Sequence, residues 1–244
     1  DIGVTICEDA WQHCGATPND YDSDPIAQIV EWGRQGVVLD ATVNLSASPY
    51  HANKSGIRIA VARSAASSLN HPFLLANQVG GNDDLLFDGR SIIAWPDGTA
   101  VVAPAWTRGV LLTDLSDPKG CTWIGDGEVT ILKPGEELKE DENDLLDAIV
   151  IGLADYCRKS GISKIVLGLS GGIDSALAAC VATAAVGAQN VTGISMPSKH
   201  SSQHSIDDAK ATAEALGLNF IIQPITDLHA ASDLALEDIL EGVH

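Results

Sequence analysis

The chain has 244 residues, 45% of them hydrophobic, which is enough to bury one large core or two smaller ones, and no apolar run reaches membrane-spanning length. Asp and Glu number 33 against 14 Lys and Arg, a net charge of -19 that argues against a general nucleic-acid-binding face, because phosphate contacts need cations. An anionic substrate must then be met locally, by backbone N–H groups, a metal ion or a few basic side chains, while most of the acidity reads as a solvated surface. Five scattered cysteines, Cys7, Cys14, Cys121, Cys157 and Cys180, form no CxxC pair and fit neither a disulfide framework nor a zinc site; a reducing, cytoplasmic setting suits them. No secretory signal opens the chain. It starts at Asp1 inside a strand-like pattern, without Met, and reads as an internal piece of a longer protein.

In chain order, Asp1 to Glu8 reads as a short apolar strand (Ile2, Val4, Ile6) ending at Cys7-Glu8-Asp9. A Pro-, Asn- and Asp-rich loop over Thr17 to Pro25 leads into a helix over Pro25 to Gln35. A strand over Gly36 to Leu45 and an Ala/Ser-rich helix over Ile57 to Leu69 follow, the helix stopping at Asn70-His71-Pro72. Phe73 to Gln78, Ser91 to Ala94 and Thr99 to Ala103 read as strands separated by the turns Asp88-Gly89 and Pro96-Asp97-Gly98. From Asp114 to Asn143 turn residues and a charged run, Glu136 to Asp144, take over, and a domain boundary is expected near 133–142. Beyond it come a helix over Leu145 to Ser160, a buried strand over Ile165 to Leu169, a helix over Ile173 to Val186 and a strand over Val191 to Met196. A helix over Ser205 to Leu216 with Ser205 as N-cap, a strand over Asn219 to Ile225 and a helix over Asp227 to Glu241 complete the alternation, which predicts a parallel sheet covered by helices. Trp11, Trp32, Trp95, Trp106 and Trp123 read as packing residues, and His51, His71 and His229 as local hydrogen-bonding groups without ligand spacing.

The sharpest motif is Gly168-Leu169-Ser170-Gly171-Gly172-Ile173-Asp174-Ser175, between a strand and a helix. Small residues there let backbone N–H groups close around a phosphate at the positive end of the helix. No Lys follows the last glycine, so it is not a Walker A loop, and it is not GxGxxG. Asp174 would repel bare phosphate, which makes a bridging Mg²⁺ the natural companion. The plainer alternative is a Gly-rich turn capping a helix, with Asp174 stabilised by the helix dipole. The octet resembles the SGGxDS pyrophosphate loop of ATP pyrophosphatases, a group that includes NAD, GMP and asparagine synthetases. Ser195 to Ser205 resembles the ATP-proximal loop of NAD synthetases, or is otherwise a polar surface loop.

A single strand cysteine is usually a small buried hydrophobe. At a strand end it becomes a candidate nucleophile for a carboxamide carbon, provided a base and a cation are supplied, because the carboxylates of Glu8 and Asp9 alone make a thiol less reactive. Gly3 to Trp11 resembles the nucleophile strand of the nitrilase superfamily, in the glutaminase domain of NAD synthetases. That resemblance implies Cys7 as nucleophile, with a Glu base and a Lys from strands that precede it and lie outside this chain. Asn44-Leu45-Ser46-Ala47-Ser48-Pro49-Tyr50 continues the likeness, and implies that Glu8, Ser48 and Lys54 bind glutamine. The family usually has Gly before that basic residue, where this chain has Asn53. Asn77 to Asp83 and Phe87-Asp88-Gly89 also match, as scaffold and ammonia-channel lining.

GMP synthetases use a different glutaminase and asparagine synthetases an N-terminal Cys, so the pairing of motifs points to glutamine-dependent NAD synthetase. What the resemblance implies is an α/β chain: the C-terminal part of a nitrilase-like α-β-β-α sandwich (1–132), a linker (133–143) and the start of a Rossmann-like parallel-sheet ATP pyrophosphatase domain (144–244). Its implied substrates are glutamine, ATP with Mg²⁺ held at Asp174, and deamido-NAD, in a cytoplasmic homo-oligomer without nucleic-acid or membrane partners. Two alternatives are a nitrilase-type amidase with an accessory nucleotide-binding domain, and a nucleotide-binding piece that does not turn over by itself.

Overall fold

A computed structural model describes residues 1–12, 22–140 and 142–240, the side chains of 119 and 237–240 excepted. Cys14, residues 17–21 of the expected loop, Asp141 and Glu241 lie outside the described residues. The chain divides into two compact units, Asp1–Ala148 and Ile149–His244.

The first unit runs β1 (Ile2–Ile6), a 3-10 turn (Cys7–Ala10), α1 (Pro25–Arg34), β2 (Ala41–Ser46), α2 (Lys54–Leu69), β3 (Phe73–Asn77), β4 (Val79–Asn82), β5 (Leu85–Asp88), β6 (Ile92–Ala94), β7 (Ala100–Val102), β8 (Gly109–Asp114), β9 (Asp117–Gly125) and β10 (Thr130–Leu132). Six strands form one sheet in the order β1-β2-β3-β6-β7-β10. The first three are parallel and the rest antiparallel. Parallel strands need crossover helices, and α1 and α2 are those crossovers. Asp24 starts α1 by accepting the Ala27 N–H at 3.0 Å, with Pro25 in the first turn where a missing N–H costs nothing. α2 packs with Ile59, Val61, Ala62, Ala65 and Ala66, small residues that bring the helix close to Phe73, Leu75, Ile92 and Val102 of the sheet. On the other face Ile93, Trp95 and Val101 pack against Leu111 and Cys121 of the β8–β9 hairpin.

The division between units falls inside α3 (Asn143–Ser160). The second unit continues with β11 (Ile165–Gly168), α4 (Ile173–Val186), β12 (Val191–Ser195), α5 (Gln203–Leu216), β13 (Asn219–Ile222) and α6 (Thr226–Leu240). The three strands are parallel in the order β11-β12-β13. Leu169, Ala179, Ala182, Val191, Ala209, Ala213 and Leu218 form the core, alanines again setting a close helix–sheet spacing.

Several expectations need correction. Only Ala41–Ser46 of the span 36–45 pairs as strand. α2 begins at Lys54, three residues before the apolar spacing suggests. α5 is capped by Ser202, whose Oγ accepts the Ser205 N–H at 3.2 Å, so Ser205 lies inside the helix. β11 is not buried throughout, since Val166 is 65% exposed. The stretch expected to be turns after Asp114 holds β9, with Pro118 near the irregular end of the hairpin, where a missing N–H breaks no regular ladder. In β1 the apolar residues Ile2, Val4 and Ile6 face outward, and Thr5 is the buried one.

Candidate functional site

At the end of β1 the backbone reverses at Cys7, which has φ +46, a left-handed conformation uncommon for a residue with a side chain. Neighbouring side chains hold the turn. Ile6 N–H donates to Asp9 Oδ2 at 2.8 Å, and Trp11 N–H donates to the Glu8 carbonyl at 2.9 Å. From β2, Asn44 Nδ2 donates both to Thr5 Oγ1 at 3.0 Å and to the Cys7 carbonyl at 3.2 Å. Ser46 Oγ in turn donates to Asn44 Oδ1 at 2.6 Å, which fixes the amide's orientation. The sulfur is thereby presented, partly exposed, at a strand end rather than packed in the sheet.

Lys54 opens α2 on the same side. Its Nζ lies 5.5 Å from the centre of the Trp11 ring, a cation–π distance. Burial, helped by the Arg58 charge, lowers the Lys54 pKa, while the charges of Asp88, Cys7 and Glu8 work in the opposite direction. Asn53, standing where the family usually has Gly, has φ +67. Asn is the residue that best tolerates this conformation after Gly, so the turn before Lys54 keeps its shape.

Ser48 is buried at the end of β2, its N–H donating to Asn77 Oδ1 at 2.9 Å. Asn77 is itself pinned by two bonds it donates, from its Nδ2 to the Gly89 carbonyl and from its backbone N–H to Ser91 Oγ. Ser48 Oγ is buried without a hydrogen-bond partner among the described residues. An unmatched buried hydroxyl costs about 1–3 kcal/mol, and marks a position where a polar ligand atom is worth most.

Behind these residues runs a chain of buried charges that sequence reasoning missed. Arg58 Nη2 donates to Asp88 Oδ2, with both side chains fully buried. Arg90 bonds the same oxygen at 3.2 Å and Asp144 at 2.7 Å, and Trp106 Nε1 donates to Asp144 at 3.3 Å. Trp106 meets Tyr50 edge-on, with ring centres 4.8 Å apart, and burial raises the Tyr50 pKa, with Glu140 and Asp144 adding to it. Spacing alone carried no sign of this, because its members come from five segments. Trp11, read as packing, also faces the Lys54 cation.

Neither large cavity of the first unit is lined by Cys7, Ser48 or Lys54. One of about 480 Å³ lies between Leu74 and Trp123, and one of about 710 Å³ runs along α2 beside residues 135–140. Among the described residues no three His, Cys, Asp or Glu side chains gather as a metal centre. His51 and His71 bond locally, to the Ala52 carbonyl at 3.0 Å and Thr42 Oγ1 at 2.8 Å.

In the second unit the octet lies at the C-terminal end of β11, where open parallel sheets bind ligands. Gly171 has φ +83, and a Cβ there would stand 2.3 Å from the Ser205 carbonyl oxygen of α5. No other residue fits on either ground. Gly172 caps α4, whose first turn carries Ile173, Asp174 and Ser175. Ser175 Oγ and Ser170 Oγ stand 3.1 Å apart, and they accept from the N–H groups of Ser170 and Gly172 respectively, each at 3.2 Å. Two hydroxyls, backbone N–H groups and the positive end of a 14-residue helix thus converge beside a cavity of about 270 Å³. Gly168 and Leu169 line it from one strand end, Met196 and Pro197 from the next, and Ser201 and Ser205 from α5 and its approach. Lys199 and His200 turn elsewhere, to Asp233 at 2.6 Å and to the His229 ring at 5.3 Å.

Residues 145–242 match the NAD synthase family. The chain is 40% identical to the glutamine-dependent NAD(+) synthetase of Synechocystis over 242 residues, covering 98% of this chain and 41% of the relative. It is 37% identical to that of Rhodobacter capsulatus, covering 99% of this chain and 40% of the relative. Among solved structures, the glutamine-dependent NAD+ synthetase of Acinetobacter baumannii in complex with ADP superposes on all of this chain and 42% of its own, with a TM-score of 0.76 and 28% identity. The chain is thus a homologue of glutamine-dependent NAD(+) synthetases along nearly its whole length, shares their mixed α/β fold, and spans about two fifths of theirs.

Proposed function

We propose that this chain carries the nucleophile of a glutaminase site and the ATP-gripping loop of a synthetase site in a glutamine-dependent NAD synthetase, a carbon–nitrogen ligase. One observation carries the reading: a cysteine held at positive φ on a strand end shares a chain with an SGGxDS loop at a helix N-terminus.

In the first site the Cys7 thiolate attacks the side-chain carboxamide carbon of glutamine. The C–N bond breaks, ammonia leaves, and water hydrolyses the resulting thioester to glutamate and free thiol. Ser48 Oγ and the Lys54 ammonium hold the amino-acid end of glutamine together with Glu8. The Glu base and a further Lys come from the part of the longer protein that this chain does not span.

In the second site ATP transfers its adenylyl group to the nicotinate carboxylate of deamido-NAD and pyrophosphate departs; ammonia then displaces AMP to give NAD. Residues 168–175 cradle the phosphates through backbone N–H groups and the hydroxyls of Ser170 and Ser175. Asp174 suits Mg²⁺, since one carboxylate beside phosphate oxygens is an ordinary site for that ion, which supplies charge neutralisation when bound. Residues 1–132 belong to the glutaminase domain, 133–143 to a linker and 144–244 to the ATP-binding domain. The parent protein is a cytoplasmic homo-oligomer.

The test is to assay the full-length enzyme carrying Cys7→Ala. NAD formation from glutamine should disappear while formation from ammonium salts stays near wild type. Equal loss of both, or of neither, would overturn the assignment of Cys7.

A further inference from the structure

α2 opens without a cap of its own. Asn53, in the N-cap position at φ +67 and ψ 10, makes no side-chain cap bond. The missing acceptor comes from far along the chain. Glu140 Oε2 accepts the Asn53 N–H at 2.8 Å, and Oε1 accepts the Ser55 N–H at 3.1 Å and the Ser55 hydroxyl at 2.6 Å. One carboxylate therefore grips both residues flanking Lys54. It also places negative charge where the helix dipole favours it. Burial works to raise the Glu140 pKa, but the bonds from Ser55 and Asn53 and the Arg90 charge outweigh it, so the group stays ionised more readily than an ordinary glutamate.

We propose that Glu140 is a positioning residue for glutamine binding: its carboxylate fixes the left-handed turn before Lys54, and so sets where the Lys54 ammonium stands over Trp11. The inference rests on the reading of Lys54 as a glutamine-holding residue. Without the clamp the amides of Asn53 and Ser55 lose their acceptor and the first turn frays, which moves Lys54 before it moves anything in the sheet. The same bonds tie the stretch 133–140 to α2, with Arg63 adding bonds at 2.8 Å to the carbonyls of Lys133 and Glu136. Arg63 meets this stretch farther along α2, while at the Lys54 turn Glu140 acts beside the backbone bond from the Lys54 N–H to the His51 carbonyl at 3.1 Å.

The experiment measures KM and kcat for glutamine, and the ammonia-supported rate, in the full-length enzyme. Glu140→Gln replaces one acceptor by a donor facing two donors, and should raise the glutamine KM roughly tenfold, the scale of a lost helix cap with its charge. The kcat at saturating glutamine and the ammonia-supported rate should stay near wild type, and Glu140→Asp should recover most of the KM. Ser55→Ala, which removes one of the three bonds, should give a smaller rise and serves if Glu140→Gln fails to fold. A glutamine KM within twofold of wild type in Glu140→Gln, or unchanged in Ser55→Ala, alongside a raised KM in Lys54→Ala, overturns the positioning role while sparing the glutamine site. Loss of both activities together reduces Glu140 to a fold-stabilising cap and also overturns it. An unchanged KM in Lys54→Ala overturns the premise itself.

Discussion

Both candidate sites sit where a strand ends and the backbone turns left-handed, yet they solve the turn in opposite ways. At Cys7, the proposed nucleophile, the conformation is imposed on a residue with a side chain, and the turn is held by the Ile6 N–H bond to Asp9 and by the Asn44 amide on the Cys7 carbonyl. At Gly171 the conformation falls on a residue that has no side chain, because the Ser205 carbonyl leaves no room for one. The first site is a strained backbone made to present a reactive group. The second is a relaxed backbone that, on the proposed reading, itself meets the phosphates. A nucleophile must be a side chain, whereas a phosphate is met best by N–H groups and a helix dipole, so the difference follows from the ligand.

Substitutions can break that contrast in either direction. The largest effect is expected for Gly171→Ala, which meets both the positive φ and the 2.3 Å approach to Ser205. ATP binding measured by calorimetry should vanish while glutamine hydrolysis persists in the full-length enzyme; retained binding would mean that the loop can move aside. Next comes Asp88→Ala, which leaves Arg58 buried and unpaired and should cost about 3–5 kcal/mol in a denaturant titration. The loss should be confined to the first unit, with residues of the second unit keeping their amide protection.

A smaller, pH-dependent effect is expected at Lys54. Burial lowers its pKa, so the ammonium proposed to hold glutamine loses its proton at a lower pH than an ordinary lysine does. The sign for binding is then fixed: the glutamine KM should be flat near neutrality and climb as alkaline pH passes the lowered pKa. In Lys54→Arg, which stays charged, the climb should disappear. The same shift acts on stability with the opposite sense to a salt-bridged lysine: the folded state disfavours the charged form, so this group's unfavourable contribution is present at low pH and fades as pH rises.

The smallest effect sharpens the comparison most. Cys7→Gly should leave stability unchanged or raise it by about 1 kcal/mol, because Gly accepts φ +46 without strain, while glutamine-dependent activity is lost. Thermal melting of this variant beside Cys7→Ala isolates the backbone term, since both lack the sulfur. A lower melting point for Gly than for Ala would show that the turn is not strained.

The strand–loop–helix around residues 168–175 was legible from sequence because everything that defines it is local. Strand, glycines, capping and helix follow one another within Ile165 to Val186, and the observed α4 has the expected limits. The Cys7 turn was legible only as a strand end. Asn44, which holds the Cys7 carbonyl, and Lys54, which meets the Trp11 ring, come from other segments, and side chains that meet through folding leave no periodic trace. Glu140 lies 85 residues from Ser55 and sat in a charged run that read as linker. The hairpins β4–β5 and β8–β9 escaped because glycines and Pro118 weaken the alternation that announces a strand. β1 was found from its isoleucines, but those face away from the helices. A period of two identifies a strand without saying which of its faces meets the core.

The double bond made by Asn44 also acts as a check on assembly. Thr5 stands opposite Asn44 in the β1–β2 ladder, and only in that pairing do Thr5 Oγ1 and the Cys7 carbonyl fall together within reach of one amide. A slip of one residue turns Asn44 away from both. A mispaired chain would then lose the bond that holds the Cys7 carbonyl, so correct strand register and the presentation of the proposed nucleophile are verified by one side chain.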